Sequence, residues 1–460
     1  MITLSKLIDL KPISESCVVL LNQMIYRPAK AYSNSNGTYF DFGNRILKEI
    51  KTIHRALING KYLFKSYIRK VLVRNGKKRF IYIAEWQDKI VEKWLADSLS
   101  IALKNWYSKH TYAYKIEGNG IDYCQRQVAR SSKHSCYIIR RDITQYFYSI
   151  PQDKLMNILA TLIPKDDYLY HMLNQRVTNF KCQHGEVQLG VPFGSPLACV
   201  LANIYLTSVD KLMESQPVRY FRYADDFLIL SDDRYKAKQS MDLLDESIQH
   251  LGLALKPSHK QELTYKESDG VFTQVSRFSF LGLEFTNKGL IRLGLAKQRK
   301  IIGFFRRMYK NRKSKINNSP KAKRLAYVIE SANETLNKRI RSAAIIDYYL
   351  KHVTDEAQLK QLDMLIAQLT ISAYLNKPFR FKDFSKCSYK TLRTNGLPSL
   401  LHRHRLFKQG HLKVDFLAMC NAIVVQRHED MQAKRTQRLN QLKLAKMSKN
   451  IDAKPESTNA

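Results

Sequence analysis

The chain has 460 residues, with 77 Lys and Arg against 40 Asp and Glu, a formal charge of +37 and an isoelectric point near 9.8. That length allows two or three domains around a large core, and a charge excess spread along the whole chain favours a polyanionic partner, most simply nucleic acid. The seven cysteines contain no CxxC pair, which argues against a zinc or disulfide framework and suits a reducing, cytoplasmic setting.

No signal layout opens the sequence and no run reaches the length of a membrane span, so no membrane partner is expected. Cys182 and His184 form a lone CxH, read as structural. Residues 1–55 read as helical and basic. Two alternating runs, "RKVLV" and "KRFIYI", flank Asn75-Gly76 and predict a hairpin. Ile90, Val91, Trp94 and Leu95 then recur at helical spacing. "CYIIRRDI" (136–143) reads as a buried strand ending at Asp142. A helix follows it, with Pro151 near its first turn and Leu155, Ile158, Leu159 and Leu162 on its apolar face. "GVPFGSPLACVLANIYLTSVDKLM" (190–213) is a turn feeding a helix, with Ser195 as N-cap and Pro196 at the first helical position. "FRYADDFLIL" (221–230) is a second hairpin, followed by a helix around 237–251. "LALK" and "VSRFSFLGLEF" (275–285) read as two more strands. The irregular alternation predicts an α+β fold with helices on one face of a sheet.

After Glu284 no acid appears until Glu330, while Lys, Arg and aromatics are dense. A run of one sign suits a phosphate backbone, with Arg306, Arg307, Lys310, Arg312 and Lys313 as contacts and Phe304, Phe305 and Tyr309 as core on the reverse face. The remainder to about 425 reads as helical, and the polar, basic tail as disordered.

The chemistry rests on Asp225 and Asp226, two adjacent carboxylates inside an apolar run. A hairpin puts them at an exposed tip, and an adjacent strand brings Asp142 close. Three carboxylates so near each other repel, which raises their pKa values, and divalent cations remove that cost. Hard oxygen ligands suit Mg²⁺. Two such ions about 4 Å apart serve phosphoryl transfer, and the reaction implied is nucleotidyl transfer. The second acidic pair, in "SDD" (231–233), reads as a solvated strand end.

The ordered set "RRDITQYFYSI", "GVPFGSPLACVLANIYL", "YADD", "LGLALKPSHK" and "FSFLGLEF" resembles the reverse transcriptases of the bacterial group related to group II intron enzymes. The resemblance covers residues 55–285 well and extends loosely to about 380. It implies a right-hand polymerase, with an N-terminal helical extension (1–55), fingers and palm (56–285), a helical basic thumb (286–385) and a C-terminal helical extension with a basic tail (386–460). Asp142, Asp225 and Asp226 match the palm carboxylates, with Asp142 and Asp225 the principal ligands of two Mg²⁺ ions, for which Mn²⁺ can substitute. Phe147 matches the residue that screens the sugar 2′-position, and core aromatic is its alternative reading. Arg79 matches the fingers arginine on the incoming triphosphate, assisted by Arg74 after a one-residue shift. "FLG" (280–282) resembles the primer grip.

Two departures stand out. Phe193 takes the place of the Gln in the family's Pro-Gln-Gly, and it lines the nucleotide pocket by packing or stacking. In "LALKPSHK", Lys260 sits one residue late for the family's "LxLNxxK" and His259 takes the expected place. Either can protonate the leaving pyrophosphate, and Lys260 is preferred.

No HNH-like or integrase-like pattern accompanies the polymerase motifs, and Asp347, Asp355 and Asp363 lie in helical patterns. The resemblance is therefore strongest to defence-associated and abortive-infection enzymes. The partners implied are dNTPs, an RNA template or structured noncoding RNA, and the DNA product; an oligomer is compatible with it. Three alternatives stay open: a mobile-element enzyme (intron maturase, retron or diversity-generating type), a template-independent polymerase, and an RNA-binding protein on a retired polymerase fold.

Overall fold

The computed structural model describes residues 1–25, 46–74, 76–114, 120–135, 137–178, 189–256, 265–268, 271–274, 277–337, 340–412 and 441. They fall into two units, Met1–Gly294 and Leu295–Ala460.

The strands of the first unit are β1 (Ile68–Arg74), β2 (Lys77–Ile83), β3 (Tyr137–Asp142), β4 (Arg219–Tyr223), β5 (Asp226–Ser231), β6 (Tyr265–Ser268), β7 (Val271–Gln274), β8 (Arg277–Phe280), β9 (Leu283–Thr286) and β10 (Ile291–Leu293). β1 and β2 form the predicted hairpin, with Arg74 opposite Lys77 and Gly76 at φ +75°, which suits a residue without a Cβ. The central sheet has the order β4-β5-β3-β7-β6, every pair antiparallel. A separate sheet runs β10-β9-β8. "VSRFSFLGLEF" is therefore not one strand. β8 and β9 fold back at Leu281-Gly282, both with positive φ. "LALK" makes only an isolated bridge, Leu255 to Ile143, in place of a full strand.

The helix Pro196–Glu214 is apolar nearly all round and buries Leu197, Leu201, Ile204, Tyr205 and Val209, as a core helix does. It packs on the helices Trp86–Ala102 and Arg234–His250. Each fully buried Leu on it contributes roughly 2 kcal/mol. Its start is as predicted: Ser195 Oγ accepts from Leu197 N and Pro196 is at the first helical position. The helix after Asp142 covers Gln152–Leu162, with Leu155 and Leu159 fully buried and Ile158 and Leu162 partly so. The "SDD" strand end divides. Asp232 is exposed, while Asp233 caps the helix Arg234–His250 by accepting from Lys236 N at 2.9 Å.

The described residues of the second unit are helical and contain no strand. Its helices are Leu295–Asn311, Lys313–Asn318, Lys321–Asn337, Ile340–Leu350, Glu356–Leu375, Tyr389–Thr394 and Leu400–Lys408, with a 3₁₀ turn at Phe381–Ser385. Among the described residues, no helix is long and apolar enough to cross a membrane. Cys17, Cys124, Cys199 and Cys387 are free thiols. Cys136, Cys182, His184 and Cys420 lie outside the described residues.

Candidate active site

The register of the central sheet brings the carboxylates together. Asp142 ends β3 directly opposite Asp226, the first residue of β5. Tyr223 pairs with Asp226 across the β4–β5 hairpin, leaving Ala224 and Asp225 as its two-residue loop. Ala224 adopts φ +58°. A non-glycine residue is held there only when its surroundings over-determine it, and such strain gathers at functional turns. The restraint is Arg222, which is fully buried and donates to the Ala224 carbonyl at 3.0 Å. Its guanidinium also donates to Asp210 on the helix Pro196–Glu214, at 2.6 Å to Oδ1 and 2.5 Å to Oδ2. Tyr220 and Thr111 hydroxyls donate to the same carboxylate, each at 2.7 Å.

The three site carboxylates are compensated far less. Burial, then the neighbouring Asp142 and Asp225, push Asp226 up to about 6, against the pull of Arg140 and Lys256. Asp225 is also raised, first by burial and then by Asp142. Lys256 donates its ammonium to Asp142 Oδ2 at 2.5 Å, and its backbone N–H bonds to the Asp142 carbonyl at 2.8 Å. Asp142 Oδ1 is buried and accepts no hydrogen bond.

Among the described residues no three His, Cys, Asp or Glu side chains converge as ligands of one metal ion. Mg²⁺ takes one or two protein carboxylates and completes its shell with water and substrate phosphate. The orphaned Asp142 Oδ1, the mutual repulsion and the ammonium already drawn to Oδ2 all fit a divalent cation at Asp142 and Asp225.

Beside the carboxylates stands an aromatic wall. Phe147 and Phe193 are half-buried with ring centroids 5.1 Å apart; Tyr148 lies 5.9 Å from Phe193 and Tyr114 6.3 Å from Phe147. Two glycines allow it. Gly190 (φ +90°) would bring a Cβ to 3.1 Å from the Phe147 and Tyr148 backbone, and Gly194 (φ +113°) to 3.2 Å from Tyr82 O. Tyr82 N donates to Phe193 O at 3.0 Å, and Tyr148 OH donates to Phe80 O at 2.7 Å, so the β1–β2 hairpin is tied to this wall. Arg79 lies on β2, exposed. Arg74 ends β1, its side chain undescribed. Lys260 and His259 lie outside the described residues.

In the second unit Arg306, Arg307, Lys310 and Lys313 are exposed, and Phe305 and Tyr309 are buried as the reading of the reverse face expects. Two residues depart. Phe304 is half-buried beneath the Arg307 guanidinium, 5.4 Å from its ring centroid. Arg312 is half-buried and engaged, donating to Ser331 Oγ at 2.8 Å and to Glu334. A guanidinium held by a carboxylate is a strut of the helical unit, which corrects its reading as a free phosphate contact. Asp347 pairs with Arg403, Asp355 caps a helix, and buried Asp363 accepts from Ser399 Oγ and Leu400 N.

Sequence reasoning passed over Lys256, Arg222 and Asp210. The signal for the last two was present: a charge within an apolar strand or helix must find a partner.

Carboxylates at a strand end and a hairpin tip, flanked by an aromatic wall, fit the site of a nucleotidyltransferase. The comparisons narrow the class: residues 68–285 match the family of reverse transcriptases, RNA-dependent DNA polymerases. The chain thus carries a reverse transcriptase domain, of the nucleotidyltransferase class that uses divalent metal, on a right-hand polymerase fold followed by a helical C-terminal region. It is 25% identical over 191 residues to the COX1/OXI3 intron 2 protein of Saccharomyces cerevisiae, a stretch of 39% of this chain and 21% of that one. It is 26% identical over 152 residues to an uncharacterized 91 kDa protein in the cob intron of Schizosaccharomyces pombe, 32% of this chain and 19% of that one. The chain thus spans about a fifth of these curated relatives. Among solved structures, apo telomerase from Candida tropicalis is similar at 14% identity and TM-score 0.40, over 79% of this chain and 65% of that one. Telomerase from Candida albicans, in complex with a TWJ fragment of telomeric RNA, is similar at 11% identity and TM-score 0.38, over 77% and 70%.

Proposed function

We propose that this chain is an RNA-directed DNA polymerase that adds deoxynucleotides to a 3′-hydroxyl or a protein hydroxyl. The observation that carries the reading is the opposed pair Asp142 and Asp226 with Asp225 in the adjoining turn. Asp142 and Asp225 would hold the divalent cations, two Mg²⁺ ions, with Asp226 in support, and the chemistry supplied there would be activation of the attacking hydroxyl and stabilisation of the leaving oxygen. The protein's own groups position the reactants. Arg79 binds the triphosphate as a planar donor fork. Phe147, braced by Phe193, closes the space a 2′-hydroxyl would need. Lys256 neutralises Asp142 until the cations are in place.

The setting proposed is antiphage defence with a structured noncoding RNA. Phe193 in place of Gln and the long helical region after Gly294 support it. A second reading, a mobile-element enzyme, is favoured by the likeness to two intron-encoded proteins. Sequencing the nucleic acid that copurifies with the protein separates them: intron RNA supports the second, a dedicated short RNA the first. The polymerase reading is tested with Asp225→Ala/Asp226→Ala. Labelled dNTP incorporation should vanish while RNA binding and the melting profile persist. Incorporation at the wild-type rate in Mg²⁺ would end it.

A further inference from the structure

A second basic stretch lies apart from the acid-free run. Between Asp363 and Asp415 the sole acid is Asp383, among ten Lys and Arg. Asp383 is fully buried and does local work: it accepts from Arg380 N at 2.8 Å and from Lys377 Nζ at 2.5 Å. Its own N–H donates to the Arg380 carbonyl at 2.8 Å. These bonds pin the 3₁₀ turn Phe381–Ser385, which follows the helix Glu356–Leu375 after Asn376 at φ +50°. With Asp383 internally paired, Arg380, Lys382 and Lys386 are left exposed with no acid among them.

What the turn presents is aromatic. Phe379, Phe381 and Phe384 form a cluster with centroid separations of 6.0, 5.0 and 6.2 Å. Phe379 and Phe384 are half-buried, yet Phe381 is 81% exposed. A single exposed aromatic needs no explanation. This one sits on a turn fixed by a buried carboxylate, backed by two rings and flanked along the chain by exposed cations.

We propose that this turn is a stacking platform for an unpaired base of single-stranded nucleic acid, RNA or DNA, with Arg380, Lys382 and Lys386 on the adjoining phosphates. Aromatic faces interleaved with basic side chains are the general means of holding single strands, since every base has a π-face and every nucleotide a charge. A duplex offers no free base face to Phe381, and an acidic peptide would use the cations but not the ring. The inference rests on the polymerase reading only for the class of partner, and all its partners lie within the second unit.

The test uses the full-length protein without nucleotides, so that binding is read apart from extension. The probes are oligouridylate, oligothymidylate and a blunt DNA duplex of equal length, followed by fluorescence anisotropy. Stacking is worth about 1–3 kcal/mol per base, so Phe381→Ala should weaken both single strands by roughly 5- to 150-fold. Phe381→Trp should retain them, and duplex affinity should not move. An iodouridine-substituted oligomer should crosslink at Phe381. Arg380→Gln/Lys382→Gln should flatten the salt dependence by about 1.4 units, at ~0.7 per phosphate contact on single strands. Extension by Phe381→Ala at saturating template should stay normal, whereas failure of the polymerase reading would show as normal extension by the Asp225/Asp226 variant. Unchanged single-strand affinity overturns the proposal, as does an equal loss on duplex. So does a shift by Phe381→Ala from oligomer to monomer at constant affinity, which would assign the ring to a second copy of the chain.

Discussion

Arg222→Met removes the side chain that donates to the Ala224 carbonyl, and with it the cation that neutralises Asp210. The pair is buried to 1% and 0% of side-chain surface. The guanidinium makes two bonds to Asp210, one to Ala224 and one to Thr111 at 3.3 Å. After the change Asp210 keeps only the Tyr220 and Thr111 hydroxyls, and its charge is stranded where water cannot reach it. Breaking a buried pair from one side costs about 3–5 kcal/mol. An apolar replacement of both partners is often neutral, so Arg222→Met/Asp210→Leu should recover a large part of that loss. Urea unfolding of the two variants, with equal m-values, gives both numbers. The recovered variant still lacks the donor to Ala224, so its polymerase rate should stay depressed although its stability returns. A single variant within about 1 kcal/mol of wild type would refute the reasoning, as would a double variant no more stable than the single.

Further outcomes follow from the same site. Asp226 is raised to about 6, so its protonated form favours the folded state. Its contribution to metal-free stability should be fullest below pH ~4 and fall by up to about 3 kcal/mol by pH ~6; the difference between wild type and Asp226→Asn should show that slope, and Mg²⁺ should flatten it. Lys256→Met removes a partly exposed ion pair worth about 0.2–1 kcal/mol, so Mn²⁺ binding followed by paramagnetic resonance should tighten by roughly 1.5- to 5-fold. Phe147→Ala should raise the ratio of rNTP to dNTP incorporation; an unmoved ratio makes Phe147 a core residue. Arg306→Gln/Arg307→Gln/Lys310→Gln/Lys313→Gln should weaken binding to many sequences alike and lower the salt slope by roughly one unit per lost contact.

The reverse transcriptase domain is largely legible in the sequence because its elements are strongly periodic and its motifs stand in order. The hairpin at Asn75-Gly76, the Ser195-Pro196 helix start and the strand ending at Asp142 follow from local chemistry alone. What local chemistry cannot supply is register. That Asp142 faces Asp226, and that "LALK" contributes only a bridge yet delivers Lys256 to Asp142, depends on pairings between distant residues. The turn at Leu281-Gly282 is hidden for a related reason. Its apolar flanks look continuous, and a turn with positive φ at Leu281 defies the usual preference for Gly or Asn. Arg312 shows a third limit: a basic run gives net sign, whereas Glu334 decides which cation is free.

Three fully buried carboxylates contrast with the three half-buried ones of the site. Asp210, Asp363 and Asp383 sit deep in the protein, and each is closed off by an arginine, a lysine or a set of N–H and O–H donors. The fold has compensated them at the point where each was buried. Asp142, Asp225 and Asp226 are drawn together by strand register and repel each other, offset by the Lys256 ammonium paired with Asp142 and by the more distant pull of Arg140 on Asp226. Asp142 Oδ1 receives no hydrogen bond. A chain with 77 Lys and Arg has cations enough to neutralise three acids. Leaving them under-compensated at a strained turn lowers stability without structural benefit, and under the proposed function a divalent cation held with a nucleotide triphosphate would restore the balance, so that charge neutralisation at this site would depend on substrate.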